Sequence, residues 1–485
     1  MKKASISLSQ RIKGSGLYRL YNVKTDGGRG RFCMLVNSIF SGIVGQLSGG
    51  VFYSGFLLEY GFDYSSISIL LFLPYITTVL YMFSPWILEH FKVRKWILAA
   101  AKIAAYAFQI LGITILPMLF EKGPDGNIIN MAGMKAAFIA IILIYNTINA
   151  LFSSGYSAWH ANFLPDEVRA DYFTSSSCIN SLFSYATVFV ISLITDSVKN
   201  TPSYLTVLTM MRYFAFVLAF IDVLILLIPK EYEYPTSVEK AKLSNVFSLP
   251  FKNSRFMLTV LLVMLMTFAT NIHAGYVDAF IIDKINVPYS LVNGINALYF
   301  LFFIIFGTMW KKFIAKMTWF RAFGIASLIE APTYLIYSFI APNALVLYTI
   351  VRLCQHVMGV VRNTVSASLP YVNLPEADRT NYLSFYNIAN NASALISRLC
   401  GLLIYKYIGD VHIGITIGER FFGINGAVPF LILCCGLLEA FAATMCIVLF
   451  RKVTPENLLA EYDARIAAKK ALKAEKAAQK KLKKV

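Results

Sequence analysis

The residues with most chemistry to offer sit inside apolar runs. Between positions 345 and 369 a largely apolar stretch carries Arg352, Gln355, His356, Arg362 and Asn363. At 3.6 residues per turn, offsets of 3, 4 and 11 from Arg352 bring Gln355, His356 and Asn363 near one helix face, with Arg362 at its edge. A guanidinium, an imidazole and amides suit the recognition of an anion or of a hydrogen-bonding organic solute. Other runs add Gln46 and Asn37 among Ser41, Gly42, Gly45, Ser48 and Gly49, then Asn146 and Asn149, then Asn271, His273 and Asp278, and finally Arg398. His273 is a candidate proton carrier, since imidazole titrates near neutrality; the alternative is a hydrogen-bonded packing residue. No zinc-type His/Glu spacing, nucleophile elbow or phosphate loop is present, so no metal, cofactor or enzyme chemistry is expected.

The surroundings of these residues make them costly. The 485-residue chain is 57% hydrophobic and only 14% charged, with a mean hydropathy of +0.62. A soluble domain carries about 25% charge. Apolar runs long enough to cross a hydrocarbon core of ~30 Å recur throughout. They read 33–58, 66–88, 96–120, 136–158, 174–195, 206–228, 256–282, 291–315, 321–341, 345–369, 383–408 and 427–450. The composition excludes a soluble enzyme, a disordered chain and a disulfide-stapled module. It predicts an all-α membrane protein with twelve transmembrane helices, called segments 1 to 12 below. Most connections are short, apart from a charged stretch at 229–255 and a longer loop at 409–426, and strand alternation is not evident. Residues 1–31 are polar and basic without a cleavable leader pattern, so segment 1 is expected to start insertion. The seven cysteines all fall in apolar segments and read as inert buried thiols.

Charge sets the orientation. With the N-terminus inside, cytoplasmic stretches hold 33 of the 44 Lys and Arg, and outer loops hold 6. This asymmetry predicts an even number of crossings with both termini cytoplasmic, in a plasma or bacterial inner membrane. The net charge of +18 is then mostly topology and calls for no nucleic acid.

Two stretches repeat. Leu164-Pro165-Asp166-Glu167-Val168-Arg169-Ala170-Asp171-Tyr172 matches Leu374-Pro375-Glu376-Ala377-Asp378-Arg379-Thr380-Asn381-Tyr382, and Asn180 matches Asn390. Arg31-Phe32 opens segment 1 as Arg255-Phe256 opens segment 7. The chain therefore reads as a basic tail at 1–32, a six-helix bundle at 33–228, a linker at 229–255, a second bundle at 256–450 and a Lys/Ala-rich helical tail at 451–485.

Two six-helix halves, a charged middle loop and the Leu-Pro-Asp/Glu-x-x-Arg-x-Asp/Asn-Tyr pattern resemble the major facilitator superfamily over residues 30–452. The loop Ser84–Lys95 departs from the family signature by lacking its glycines, although Glu89 and Arg94 can stand for its acidic and basic members. The resemblance implies a monomeric secondary transporter moving a small organic solute by alternating access. It implies that segments 1, 4, 7 and 10 line a cavity, which selects Gln46, Asn146, Asn149, Asn271, His273, Gln355, His356, Arg362 and Asn363, with Arg398 on a flanking helix, as substrate-binding residues. By the repeat register Asn146 corresponds to His356.

The inner loops offer gates: Glu89 with Arg94, Asp166 with Arg169, and Glu376 with Arg379; plain helix capping is the alternative for the last two. Glu330 and Glu439 are expected to pair with Arg352 or Arg398 rather than bind solute; for Arg362, and likewise Arg352, the alternative to solute contact is burial against a carboxylate such as Glu330 or Glu439 to fix helix packing. Lys102, Arg212 and Asp222 are expected to snorkel to helix ends. The cavity inventory favours an anionic or hydrogen-bonding solute, with the coupling ion, proton or sodium, left open. A facilitative or multidrug efflux carrier, a non-transporting receptor and a lipid-processing protein on this scaffold are the rival readings. The C-terminal tail reads as a solvated helix drawn to anionic headgroups of the lipid bilayer.

Overall fold

The structure is a computed structural model and describes residues 16–88, 91–124, 128–164, 166–231, 243–375, 379–409, 411–417 and 420–482. It is all but entirely helical. Eleven helices among the described residues are long and apolar enough to span a bilayer. The helix Trp319–Tyr337, the expected segment 9, is not among them; it carries Arg321, Glu330 and Pro332 in 19 residues. The expected loop at 409–426 contains instead an antiparallel hairpin, His412–Ile417 with Arg420–Asn425. Its Ile-Gly-Ile-Thr-Ile alternation is the period-2 pattern that favours a strand.

The chain divides into two compact units. The first comprises Met1–Lys240, Ala274–Phe300 and Ala341–Leu345. Its helix Asp26–Ser48 begins where Thr25 accepts a hydrogen bond from the Gly28 N–H, with Asp26 in the first turn to complement the helix dipole. Gly30 lets Phe163 pack against this helix: a Cβ there would overlap the ring. Arg31 then ties the same turn to the carbonyls of Leu20 and Phe163, at 2.7 and 3.0 Å. Trp159, Phe163, Leu164, Tyr172, Leu88 and Leu98 form the core at this end. Segment 3 departs from α geometry in a π-helical turn, Ala107–Gly112.

At its other end the first unit gathers the short helix Val277–Asp283 and the start of helix Tyr289–Met317. Asp196 accepts from the backbone N–H groups of Tyr289 and Ser290, both at 2.7 Å. Tyr204 and Tyr289 share a hydroxyl contact at 2.5 Å, and Gly55 gives the room for it. Lys199 reaches the Ile282 carbonyl and Asn286 Oδ1, at 3.2 and 3.0 Å.

The second unit comprises Ala241–His273, Leu301–Ile340 and Val346–Val485. Helices Trp319–Tyr337 and Ala427–Val453 approach closely because Gly324 faces the Ala443 carbonyl, where a Cβ would sit at 2.6 Å, and Gly436 faces the Ala331 carbonyl. Gly401 likewise admits the Ile272 carbonyl. The tail helix Glu456–Leu482 is not simply solvated, as expected from its sequence. Its first half docks: Tyr462 is buried, Arg321 lies over its ring, Arg451 pairs with Asp463, Arg255 with Glu456, and Arg465 donates to the Ala315 carbonyl.

The three residues expected to snorkel do not. Lys102 pairs with a fully buried Asp222 at 2.7 Å, and Tyr106 donates to the same carboxylate. Arg212 is only 1% exposed. Neighbouring helices cover these side chains, and pairing replaces hydration for the first two. The cysteines also divide. Cys33, Cys435 and Cys446 are buried, Cys400 and Cys434 are half-buried, and Cys354 is exposed. A spanning helix carries apolar residues on its outer face as well as its packed one, so an apolar run does not by itself bury a thiol.

Candidate functional site

Segment 1 is broken. Helix Asp26–Ser48 stops, Gly49 is extended, Gly50 has a φ of +51°, and a second helix runs Gly50–Glu59. Only glycine takes that backbone region without strain. Segment 7 is broken at the corresponding place, between Ser254–Asn271 and Val277–Asp283. The Arg31/Arg255 register carries Gly49 onto His273. Broken helices at matching positions of a repeat leave backbone polar groups free to meet a ligand, and the binding residues of carriers cluster there.

Each break carries site residues expected from sequence. Gln46 lies one turn before the first break and is exposed. Asn271 and His273 lie at the second. Arg398 donates from Nε and Nη2 to Asn271 Oδ1, at 3.4 and 3.3 Å. His273 is buried edge-on against Tyr334.

On segment 10, helix Leu345–Ser368, the polar stripe divides by partner. Arg352 Nη1 donates to Gln355 Oε1 at 2.9 Å, and Gln355 donates to Thr333. His356 is half-buried near Phe302, and Asn363 is exposed. Arg362 Nη1 stands 3.0 Å from Glu330 Oε1 and 3.1 Å from Glu439 Oε1. Both carboxylates meet Arg362, as in the packing alternative given for that residue, and Arg352 also faces Glu330. The reason is register. Arg362 lies about two turns beyond Gln355 along its helix, and that places it at the level of the two glutamates on the glycine-spaced helices Trp319–Tyr337 and Ala427–Val453.

In the first unit Asn146 donates to its own helix, at the Ile142 carbonyl, and Asn149 is half-buried. Asn180 and Asn390 both stand where their helices meet the first helix of their half, though with different hydrogen-bond partners. Asn180 accepts from Ser184 beside Gly42 of segment 1, and Asn390 accepts from Thr267 of segment 7.

The gate expectations fall mostly outside the described residues: Glu89 and Glu376 are not described, nor are the side chains of Asp166, Arg169 and Arg379. Arg94 is half-buried; its Nε donates to the Phe91 carbonyl. Its backbone N–H and that of Lys95 are capped by Glu231 Oε1, at 3.1 and 3.4 Å. Nothing in the local pattern marks Glu231, which comes from the linker.

Outside the spans, Asp63 caps helix Tyr64–Thr77 through the Ser66 N–H and pairs with Lys135 at 2.6 Å. Burial raises its pKa, but Lys135 and Ser66 together outweigh this and hold it below the ordinary value.

No family model matches the chain, and none of the curated proteins matches it in sequence. Solved structures do. The nucleoside transporter NupG, as a point mutant, is 14% identical with a TM-score of 0.62, over 87% of this chain and 100% of that one. A D-xylose-proton symporter is 13% identical with a TM-score of 0.61, over 88% and 97%. A bacterial homologue of the iron transporter ferroportin in an inward-facing state is 12% identical with a TM-score of 0.60, over 86% and 98%.

The chain has the major facilitator fold. It is a multi-pass membrane protein. Identities this low speak for the fold alone. Within that fold the discontinuities of segments 1 and 7, and the Arg362 cluster joining segments 9, 10 and 12, are read from this chain's own residues.

Proposed function

We propose that this protein is a secondary transporter that carries a small organic anion together with a proton by alternating access. It crosses a plasma or inner membrane twelve times in two six-helix repeats, with both termini cytoplasmic. The observation that carries this reading is the Arg362 cluster. Glu330 and Glu439 have side chains 1% and 0% exposed, while that of Arg362 is 23% exposed. The second oxygen of each carboxylate has no partner.

Two buried carboxylates share the Arg362 guanidinium as their contact counter-charge. The groups facing the pair are Ser327 and Tyr334 on the helix of Glu330, Arg352 and Arg362 on segment 10, and Cys435 on the helix of Glu439. A solute carboxylate or phosphate that engages the accessible side of Arg362 weakens its hold on the glutamates. The glutamates then take up a proton, since a desolvated carboxylate cannot stay ionised without a counter-charge. Release of the solute returns Arg362 to the glutamates and expels that proton. Arg398 with Asn271, His273, Gln355, His356, Asn363, Gln46, Asn146 and Asn149 supply hydrogen bonds to the rest of the solute. Arg94 with Glu89, Asp166 with Arg169 and Glu376 with Arg379 close the inner face.

The test is uptake into proteoliposomes of a panel of labelled mono- and dicarboxylates and sugar phosphates, driven by an outside-acid pH gradient. Arg362→Gln loses uptake. Glu439→Gln keeps solute exchange at equal pH but loses gradient-driven accumulation. Accumulation by Glu439→Gln at the parental level, or a panel in which only cations move, contradicts the reading.

A further inference from the structure

Arg212 sits eight residues into helix Tyr204–Leu226, ~12 Å along its axis at 1.5 Å per residue. It is 1% exposed. Nε donates to Thr114 Oγ1 at 2.8 Å and Nη2 to the Gln109 carbonyl at 3.1 Å. That carbonyl lies in the π-helical turn Ala107–Gly112, where the backbone departs from regular α geometry. The guanidinium carbon stands 4.9 Å from the Phe56 ring centroid and 5.6 Å from that of Tyr53.

Every partner so far is neutral. The titratable side chains that Arg212 faces are the phenols of Tyr53, from segment 1, and Tyr145, from segment 4. Among the described residues no carboxylate pairs with it. It differs in this from Lys102 with Asp222 and from Arg362 with Glu330 and Glu439, which carry their own counter-charges. Its remaining terminal nitrogen, Nη1, has no hydrogen-bond partner, and the buried Tyr53 hydroxyl has none either.

A guanidinium remains charged at any accessible pH, so it cannot relieve its burial by losing a proton. Aromatic faces and carbonyl oxygens lower the cost of a buried cation without neutralising it. We propose that Arg212 and Tyr53 form a buried binding site for a small monovalent anion of halide or nitrate size. Nη1 and the Tyr53 hydroxyl are its hydrogen-bond donors. The rings of Tyr53 and Phe56 lie against the guanidinium, so a small anion fits this place better than a solute-sized carboxylate. The site joins segments 1, 3 and 6 and stands independently of the solute and proton assigned to Arg362.

The experiment is thermal unfolding of the purified full chain in detergent, followed by a thiol-reactive dye that reports exposure of the buried cysteines Cys33, Cys435 and Cys446. The probes are the sodium salts of chloride, bromide, nitrate, acetate and formate against gluconate at equal ionic strength. Non-specific salt effects favour the more strongly hydrated gluconate, so stabilisation by chloride runs against them. The parent protein is expected to melt at least about 3 °C higher in chloride than in gluconate, saturably, as a bound ligand requires. Arg212→Gln is expected to lose the stabilisation by chloride over gluconate. Tyr53→Phe keeps the guanidinium and its packing; it is expected to need several-fold more chloride for the same shift, and it serves as the test if Arg212→Gln does not fold. Equal midpoints for the parent in chloride and gluconate overturn the proposal. So does a chloride response that survives in Arg212→Gln, or stabilisation by acetate and formate with none by halide or nitrate.

Discussion

Arg362 and Glu439 meet at 3.1 Å with opposite access to water: the carboxylate side chain is fully buried, and the guanidinium side chain is 23% exposed. A cation tethered from behind and reachable from in front can change partners. Removing it strands two buried carboxylates, which costs about 3–5 kcal/mol for a broken buried pair. Arg362→Ala is therefore expected to lower the unfolding midpoint strongly. The triple variant Arg362→Met, Glu330→Gln, Glu439→Gln is expected to regain most of that stability and none of the transport. Thermal melts alongside uptake separate the two effects; a triple variant that transports contradicts the assigned role.

Asp196 acts as a helix cap from a distance. It accepts two backbone N–H groups at the first turn of helix Tyr289–Met317. Loss of a capping side chain costs about 0.5–2 kcal/mol. Asp196→Ala is expected to show that loss, with faster hydrogen exchange confined to residues 286–292, as read by mass spectrometry.

Gly401 faces the backbone carbonyl of Ile272, which is the residue just before His273 at the break of segment 7. A backbone atom cannot rotate away as a side-chain tip does. Gly401→Ala is expected to destabilise by about 1–3 kcal/mol, the usual range for overpacking. Gly307→Ala is the control: its Cβ meets nothing within 4 Å, so it should melt like the parent.

Asp63 carries an acid dependence. Its folded pKa lies below the ordinary value despite burial, because Lys135 and Ser66 hold the charged form. A depressed folded pKa gives stability that is complete above the unfolded value of ~3.9 and fades as pH falls through the folded one. Since the side chain is 55% exposed, the effect is small and weakens with salt. Asp63→Asn is expected to shallow the fall in melting temperature below pH 4 and to leave the difference at pH 6–8 nearly constant.

Sequence patterning reaches the helices and the resemblance because lipid demands long apolar runs and orientation follows Lys and Arg. It reaches Asn180 and Asn390, which repeat in sequence and each stand at the contact of their helix with the first helix of their half. It offers Glu330 and Glu439 as packing partners of Arg362 but does not choose among Arg352, Arg362 and Arg398, since a helical face gives direction but not which distant helix comes to meet it. The Gly49-Gly50 pair is a visible signal for the break in segment 1. The break in segment 7 has only Gly275 to mark it, and its kinship with the first emerges from the backbone. Arg212 near a span end reads as a snorkelling side chain; the rings of Tyr53 and Phe56 that enclose it lie more than 150 positions away. The hairpin at 412–425 shows in its own alternation, which is too short to stand out against the helical runs on either side.

The most direct measurement of alternating access needs no solute. On a cysteine-free background, Gln46→Cys is labelled in sealed vesicles with a membrane-impermeant maleimide from either side, with and without a short thiol crosslink between Tyr204→Cys and Tyr289→Cys, at the end that the proposed topology puts outside. The account predicts labelling from both sides without the crosslink. With it, outside labelling is abolished and inside labelling is at least as fast as before. Position 46 unreactive from both sides, or a crosslink that suppresses labelling equally from each, contradicts it.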